Sequence, residues 1–382
     1  STLTASTVPG NTVLWYNNIG LTGGSTTAPT PSTDVAGTTT YYVTQTNAFT
    51  CRSNSSAITV NVTNAISNNT ITADQIICAG TNPTSLTGTP TGGTGSFIYQ
   101  WEFSTNGGAS WSNVPSGGTS LSYNPGLIST TTTYRRQVSS GACNSTSNSI
   151  TITVVPSLAN TGIGSPQTIC QGSPVALLTG QLPTGGNGSY SYQWESSTNN
   201  STWSTISGAT LQDYQPIAIS STTYFRRRVT SGVCNVVSSS VAVVVTPALS
   251  NNTISSDQTI CIGSSASTLT GTNVVGGSGT LAYQWQLSTD NGASWINVPS
   301  NGNNSSYNPG AISASTSYRR IVSSGACTLI SGNTITITVL PALTNFSISA
   351  DQQICEGNPT ALLVGQLPTG GNGSYSYQWE SS

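Results

Sequence analysis

The sequence predicts an all-β protein that is built as a tandem array of small β-sandwich modules. Three observations favour this fold. Val, Ile and Thr are abundant beside 15 Tyr and 8 Trp, a composition that suits half-buried strands. Apolar and polar residues alternate in short runs, whereas no segment shows the helical period. The same motifs also recur about every 92 residues along the chain.

Four series of residues carry this period. They are the Gln-Trp tryptophans Trp101, Trp194, Trp285 and Trp379, the early cysteines Cys78, Cys170, Cys261 and Cys355, the late cysteines Cys51, Cys143, Cys234 and Cys327, and the tyrosines Tyr123, Tyr214 and Tyr307. Because the four series share one step, they indicate a tandem array. The register predicts three complete modules, residues 65–156, 157–247 and 248–341, between two partial ones, residues 1–64 and 342–382.

A longer repeat lies on top of the first. Residues 170–197 and 355–382 differ at only 4 of 28 positions. The duplicated unit is therefore a pair of modules, about 184 residues long. We expect the chain to be a window of a longer array, since both terminal modules are partial. An array that grows by copying suits a spacer better than a catalyst.

Within a module, short strands follow one another between turn signals. In the second complete module these are residues 176–180, 190–195, 222–230 and 238–245. Residues 190–195 alternate strictly, which places Tyr190, Tyr192 and Trp194 on one buried face. Strands of this length in a module of this size predict an immunoglobulin-like, fibronectin III-like sandwich. We expect its core to contain the tryptophans Trp15, Trp101, Trp194, Trp285 and Trp379.

The eight cysteines predict an oxidising, extracellular setting. Two pairings are possible. Pairing within modules gives Cys78–Cys143, Cys170–Cys234 and Cys261–Cys327, and leaves Cys51 and Cys355 with partners outside the chain. Pairing across linkers gives Cys51–Cys78, Cys143–Cys170, Cys234–Cys261 and Cys327–Cys355. We favour the first, because strands running onward separate the members of each across-linker pair.

A proline follows the last strand of each complete module, at Pro156, Pro247 and Pro341. Proline fixes φ and cannot extend a ladder, so each residue marks a strand end and stiffens the linker. Short proline linkers between sandwiches predict a semi-rigid rod.

The composition excludes several classes of function. The chain has no histidine, so it lacks the base of Ser-His-Asp and Cys-His enzymes and an imidazole metal ligand. Its net charge is −2, which does not suit nucleic-acid binding. No apolar run reaches the roughly 18–20 residues of a membrane span. The acidic residues recur at repeat positions rather than forming one unique pair. We therefore expect no catalytic residue, cofactor or metal.

Two repeated motifs are candidates for binding. The tryptophans Trp111, Trp203 and Trp295 are weak candidates for contacts with a carbohydrate. Arginine clusters at 135–136, 226–228 and 319–320 could form an anion-binding ladder, but their place on one strand of every module favours packing over aromatic rings. Residues 288–295 match the Asp-box pattern S-x-D-x-G-x-x-W, which we interpret as a hairpin turn.

Several motifs stand out along the chain: Gln-Thr-Ile-Cys at 167–170 and 258–261, Leu-Thr-Gly at 178–180, Pro-Thr-Gly-Gly-Asn-Gly at 183–188, Tyr-Gln-Trp, and Tyr-Arg-Arg followed by Gly-x-Cys. Together they resemble the tandem repeats of very large Bacteroidetes surface proteins, including gliding-motility adhesins. The resemblance implies export by type IX secretion, display on the bacterial cell surface, and roles in adhesion and gliding. The partners it implies are other modules of the same chain, the outer-surface attachment machinery and an unidentified glycan or surface ligand.

Three other interpretations remain open at this stage. The chain could be a carbohydrate-binding array, a self-assembling extracellular filament, or the accessory repeats of a secreted hydrolase. The sequence favours a non-enzymatic stalk segment of a surface adhesin, because it contains a strict repeat and no unique constellation of residues.

Overall fold

The computed structural model describes residues 1–382 and consists of 23 β-strands, without a helix. The predicted all-β fold class is confirmed. The N-terminal region holds β1 (Thr12–Tyr16), β2 (Gly37–Thr46), β3 (Ser56–Val62) and β4 (Asn64–Ser67). The first complete module holds β5 (Gln75–Cys78), β6 (Thr91–Gly93), β7 (Ile98–Ser104), β8 (Ser112–Asn113), β9 (Thr132–Ser140), β10 (Cys143–Thr146) and β11 (Ile150–Val155).

The next two modules repeat most of these strands. The second holds β12 (Gln167–Cys170), β13 (Ser191–Ser197), β14 (Ser204–Thr205), β15 (Thr223–Ser231), β16 (Cys234–Val237) and β17 (Val241–Thr246). The third holds β18 (Gln258–Cys261), β19 (Ala282–Ser288), β20 (Ile296–Asn297), β21 (Thr316–Ser324), β22 (Cys327–Ile330) and β23 (Ile335–Leu340).

The chain forms two compact units. One comprises residues 1–160, 183–190 and 230–236, and the other comprises residues 161–182, 191–229 and 237–382. Residues 157–160, 183–190 and 230–236 of the second module thus belong to the same compact unit as the first module.

Each complete module has one regular sheet with the same strand order, which is β5-β11-β9-β7-β8 in the first module. The last long strand, β11, is antiparallel to β9 and parallel to the short edge strand β5. This is the arrangement of the sheet that contains strands G, F and C in immunoglobulin-like sandwiches. The opposite layer is less regular and includes isolated bridges such as Leu86↔Tyr123 and Leu269↔Tyr307.

The predicted strand at residues 176–180 forms only isolated bridges. Backbone hydrogen bonds join Leu178 to Tyr214, whereas side chains satisfy the backbone of Gly180. The N–H of Gly180 donates to the Asp213 carboxylate at 2.7 Å, and the Gln212 amide donates to the Gly180 carbonyl at 2.7 Å. Hydrogen bonds of this kind compete with a regular ladder.

A tryptophan lies at the centre of each complete module. Trp101, Trp194 and Trp285 are 0% exposed, and each indole N–H donates to a backbone carbonyl at 2.9–3.1 Å. Burying this donor with a partner avoids the cost of an unsatisfied polar group. The rings of Tyr123, Tyr214 and Tyr307 pack against these indoles.

Trp15 and Trp379, the other two tryptophans that we expect in a core, differ in exposure. Trp15 is 6% exposed in the three-stranded sheet β1-β2-β3. Trp379 is 56% exposed, contrary to its expected place in a core. In a complete module the strands that follow the tryptophan, such as β9 against β7, cover it. No strand of the structure lies over Trp379 in this way.

Candidate functional site at the module junctions

Two disulfides connect successive modules. Cys78 is bonded to Cys234 and Cys170 is bonded to Cys327, with Cα separations of 5.2 and 4.9 Å. Each bond joins the early cysteine of one module to the late cysteine of the next, 156 and 157 residues further along. The predicted pairing within modules is therefore wrong, and the across-linker alternative is wrong as well.

The other four cysteines are free thiols. Cys143 and Cys261, for which the sequence predicts bonds inside their own modules, have no disulfide partner. Cys51 and Cys355 are exposed thiols. That their partners lie outside the chain stays a prediction.

Strand direction explains why the two cysteines of one module cannot meet. Cys78 lies opposite Val155 in the parallel pair of β5 and β11, at the end of the module where the last strand leaves. Cys143 begins β10, directly after the turn that ends β9. A dozen residues of mostly extended chain separate Cys143 from Val155, which corresponds to roughly 30–40 Å. Early and late cysteines therefore lie at opposite ends of each sandwich.

The bond between Cys170 and Cys327 lies in an apolar cluster of its own. We call the turn and strand pair that carry a late cysteine the junction hairpin, which β21 and β22 form here. The cluster contains Leu249, Val274, Val322 and Cys327, with Cys170, Leu281, Tyr283 and Leu329 packed against it. Val322 and Cys327 are 0% and 1% exposed. The end of one module and three segments of the next thus share a small core.

Hydrogen bonds join the loop at residues 274–279 to the junction hairpin and to the linker. The Ser324 hydroxyl accepts from the Gly279 N–H at 3.1 Å, and the Gly277 N–H donates to the Pro247 carbonyl at 2.9 Å. Gly277 has a φ of +76°, and a methyl group at this position would collide with the Ser324 side chain. Only glycine meets both demands. The repeated Gly-Gly pair therefore lets the loop and the hairpin approach each other.

The three tryptophans considered for carbohydrate binding are stacked with arginine side chains. The guanidinium groups lie 4.2–4.5 Å from the ring centroids in the pairs Arg135–Trp111, Arg226–Trp203 and Arg319–Trp295. All three indoles are only partly exposed. Stacking of this kind favours the structural interpretation of the arginine clusters. One face of each ring is therefore occupied by the chain itself.

A Glu or Gln side chain on the strand of the buried tryptophan, which is β7, β13 or β19, orients each of these arginines. Arg135 and Arg226 donate to the carboxylates of Glu102 and Glu195 at 2.6 Å. In the third module Gln286 takes this place and accepts from Arg319 at 2.8 Å. The modules thus keep the stack while differing in charge.

Glu195 is more deeply buried than the other acid of this type. It is 5% exposed and forms ion pairs with Arg226 at 2.6 Å and Arg228 at 3.1 Å. Burial by itself raises the pKa of the Glu195 carboxyl, but the hydrogen bonds and charges of both arginines outweigh that effect. The pKa of Glu195 is therefore lowered, and the carboxylate stays charged at neutral pH.

A second arginine of each cluster is fully buried. Arg136, Arg227 and Arg320 are 0–1% exposed, and burial lowers the pKa of each guanidinium. Backbone carbonyls accept their hydrogen bonds, for example Ser305 and Thr272 from Arg320, each at 2.9 Å. These arginines hold loops of the opposite layer against the sheet, so they are not available to a ligand.

The three buried arginines differ in the hydrogen bonding of one atom, the guanidinium Nε. Asn69 and Asn252 accept from the Nε groups of Arg136 and Arg320 at 3.3 and 3.0 Å. Thr161 occupies this repeat position in the second module, and the Nε of Arg227 has no hydrogen-bond partner. An unpaired buried donor costs about 1–3 kcal/mol.

The Asp-box of the third module is a turn between β19 and β20. Asp290 accepts from the Ser288 hydroxyl at 2.7 Å and also from the Ser294 side chain. These hydrogen bonds lower the pKa of Asp290 to about 2. The carboxylate closes the turn and is surrounded by hydroxyl and backbone donors.

No group of three or more His, Cys, Asp or Glu is placed to hold a metal ion. The structure also contains no helix that could cross a membrane.

Several solved structures of tandem extracellular and capsid domains are similar to this chain. Extracellular domains 3–5 of Drosophila OTK share 13% identity, with 72% of this chain and 97% of that chain covered and a TM-score of 0.32. The three N-terminal domains of the bacteriophage RB49 Hoc protein share 14% identity, cover 72% and 99%, and give a TM-score of 0.35. Sidekick-1 immunoglobulin domains 1–5 share 14% identity, cover 87% and 75%, and give 0.28.

A comparison with curated protein sequences finds no match. One family model matches three successive segments, residues 67–156, 159–247 and 250–341. Together these segments make up most of the chain. The chain therefore belongs to the family described as a domain of unknown function, DUF8696, and carries three tandem copies of that domain.

Proposed function

We propose that this chain is a non-catalytic, extracellular stalk segment of a large surface adhesin. Its repeats supply length and mechanical continuity, and the adhesin serves attachment and gliding in a Bacteroidetes-type bacterium that exports it by type IX secretion. The observation that carries the proposal is the pair of disulfides between successive modules. Under tension, a disulfide carries the force past the segment that it encloses. The chain therefore extends less if its modules unfold.

The two disulfides interleave, because Cys170 lies inside the loop closed by Cys78 and Cys234. The shortest covalent path from end to end has 77 steps to Cys78, 64 steps back from Cys234 to Cys170, and 55 steps from Cys327 to Ser382. It bypasses almost half of the chain. At about 3.5 Å per residue, the bonds shorten the fully extended chain by roughly 650 Å.

Interleaving also makes the links redundant. With either disulfide alone, the bypass shrinks by fewer than thirty residues, or roughly 100 Å of extended chain. Breaking one bond therefore leaves most of the mechanical protection in place. Only the loss of both bonds releases the full length.

Single-molecule stretching of the full chain between terminal handles tests the mechanical part of the proposal. We expect full extension to increase by roughly 650 Å when a reductant breaks both bonds, and by roughly 100 Å for Cys170→Ala paired with Cys327→Ala. Equal extension with and without reductant contradicts a load-bearing role for the bonds.

Immunogold electron microscopy of the source cells tests the adhesin part. We expect label on filaments that leave the outer surface, and a deletion strain that attaches and glides less. Label confined to the cell interior contradicts the proposal. For the carbohydrate-binding alternative, the Arg319 stack already covers one face of Trp295, so we expect Trp295→Ala to leave any glycan-array signal unchanged.

A further inference from the structure

A cavity of about 430 Å³ lies beside the free thiol of Cys261. Pro341, Leu343, Pro368, Tyr375 and Tyr377 are among the residues that line it. Cys261 lies opposite Leu340 in the parallel pair of β18 and β23, at the end of the third module. Leu343 is 60% exposed and Tyr377 is 58% exposed, so the cavity has apolar walls that face solvent.

The same repeat positions build the apolar cluster around Cys170. Leu343, Pro368, Tyr375 and Tyr377 correspond in the repeat to Leu249, Val274, Leu281 and Tyr283. At that junction the hairpin of β21 and β22 fills the space with Val322, Cys327 and Leu329. Leu249 is consequently only 7% exposed. The cavity beside Cys261 therefore has the walls of a junction core and lacks the hairpin.

We propose that this cavity receives a junction hairpin of the same family, with the pattern Val-x-x-Gly-x-Cys-x-Leu or Val-x-x-Gly-x-Cys-x-Val, and that Cys261 forms a disulfide with its cysteine. Residues 322–329 and 229–236 are the two examples of this pattern in the chain. The inference rests on the geometry of the junctions and not on the proposed adhesin function.

The bond needs an oxidant, which a small-molecule disulfide such as oxidised glutathione supplies. The Cys261 thiolate attacks the oxidant and releases one reduced glutathione. The hairpin thiolate then attacks the mixed disulfide at the Cys261 sulfur and releases a second one. Two thiols are oxidised to one disulfide, and one glutathione disulfide is reduced to two thiols.

The chain itself supplies the sequence for a sharp test. Because residues 170–197 and 355–382 differ at only 4 of 28 positions, residues 198–247, which follow the first segment, can be attached to the second segment as a designed extension. They include Val229, Cys234 and Val236. The probe is the full chain with a second copy of residues 198–247 attached after Ser382.

Peptide mapping after incubation in a glutathione buffer gives the result. We expect a disulfide between Cys261 and the cysteine of the attached copy, with alkylation of Cys261 at least tenfold slower than in the unextended chain. The matched control carries Val229→Asp and Val236→Asp in the attached copy only, and we expect it to lose most of the bond. A bond to Cys355 instead, or a control that reacts as fast, overturns the inference.

A second probe does not depend on folding of the attached segment. A peptide with the sequence of residues 316–330 is added to the unextended chain in the same buffer. We expect it to bond to Cys261 at least tenfold faster than to Cys51 or Cys355, and faster than a peptide with Val322→Asp and Leu329→Asp. Equal rates at the three thiols contradict the inference.

Discussion

At the first junction of the chain the late cysteine is a free thiol, whereas at the other two junctions it forms a disulfide. Cys143 lies 3.2 Å from the Thr63 hydroxyl and 3.5 Å from the Asn64 carbonyl. Cys327 holds the same position, 3.4 Å from the Thr246 hydroxyl and 3.3 Å from the Pro247 carbonyl. Cys143 is a free thiol in the structure.

The junction hairpin thus occupies the same position with and without a disulfide, which indicates that its packing contributes to holding it there. At the first junction, Ser140 accepts from the Thr94 N–H at 2.8 Å, and β4 pairs with β6 beside it. The hairpin thus reaches its position without a bond. Where an early cysteine is present, the late cysteine already lies against it.

The largest expected effect comes from removing one bond. Replacing Cys170 and Cys327 together by Ala opens a loop of 157 residues, which costs about 4–5 kcal/mol in the chain-entropy estimate. Hydrogen exchange of the β21–β22 amides should speed up accordingly. The control Cys143→Ala, at the junction without a bond, should change exchange in β9 and β10 by less than about 1 kcal/mol. Equal effects at the two junctions would show that the bond adds nothing to packing.

The next effect tests the packing without the bond. Gly93 has a φ of +57°, and a methyl group there would collide with Ser140. Gly93→Ala should destabilise the docked hairpin by about 1–3 kcal/mol. Because no disulfide holds this junction, alkylation of Cys143 should accelerate roughly 5- to 150-fold.

Gly107→Ala is the matched control. Gly107 has a φ of +70° and open space around it, so this variant carries similar backbone strain away from the junction. Alkylation of Cys143 should stay at the wild-type rate. A similar acceleration in both variants would mean that general strain, and not the contact with Ser140, exposes the thiol.

Some of this architecture follows from the sequence and some does not. The alternation around Trp194 and the 92-residue period predict the all-β fold, because they reflect local strand geometry. Packing of the arginine clusters over aromatic rings is also anticipated, since each cluster recurs on one strand, but the sequence does not identify Trp203 as the partner of Arg226. The disulfides are not predicted, because they depend on β12 lying parallel to β17, and four-residue edge strands leave no clear sequence signal. The prolines at the module ends and the repeated Gly-Gly pair mark the junction in the sequence, but neither indicates which cysteines pair.

The second module differs from its neighbours in lacking an acceptor for the Nε of its buried arginine. A substitution that supplies this acceptor should raise the stability of the module. Thr161→Asn should place an acceptor beside the unpaired Nε of Arg227, as Asn252 does for Arg320. Supplying the partner should raise the unfolding free energy of this module by about 1–2 kcal/mol. The reverse change, Asn252→Thr, should lower that of the third module by a similar amount. Urea titrations followed by hydrogen exchange distinguish the modules, and no change in either variant would contradict the comparison.

The smallest expected effect is a difference in acid sensitivity between the second and third modules. Glu195 and Gln286 occupy the same repeat position and accept from Arg226 and Arg319. The pKa of Glu195 is lowered in the folded state by the two arginines, against the effect of burial. The unfolded chain therefore takes up the proton first as the pH falls.

The sign of the effect follows from this order. The contribution of Glu195 is complete above the ordinary carboxyl pKa near 4.5 and is lost as the pH falls towards the lowered folded value. Glu195→Gln should cost the second module about 1 kcal/mol at pH 7 and should remove this part of its pH dependence. The third module has an acid-sensitive group of its own in Asp290, whose pKa is lowered to about 2, so the comparison is made with Asp290→Asn as the shared background. In that background β19, which carries Gln286, should show no matching loss over the same range. Hydrogen exchange in β13 and β19 between pH 3 and 7 measures both modules in one sample. Equal acid sensitivity of the two strands would show that the ion pairs of Glu195 do not contribute to stability.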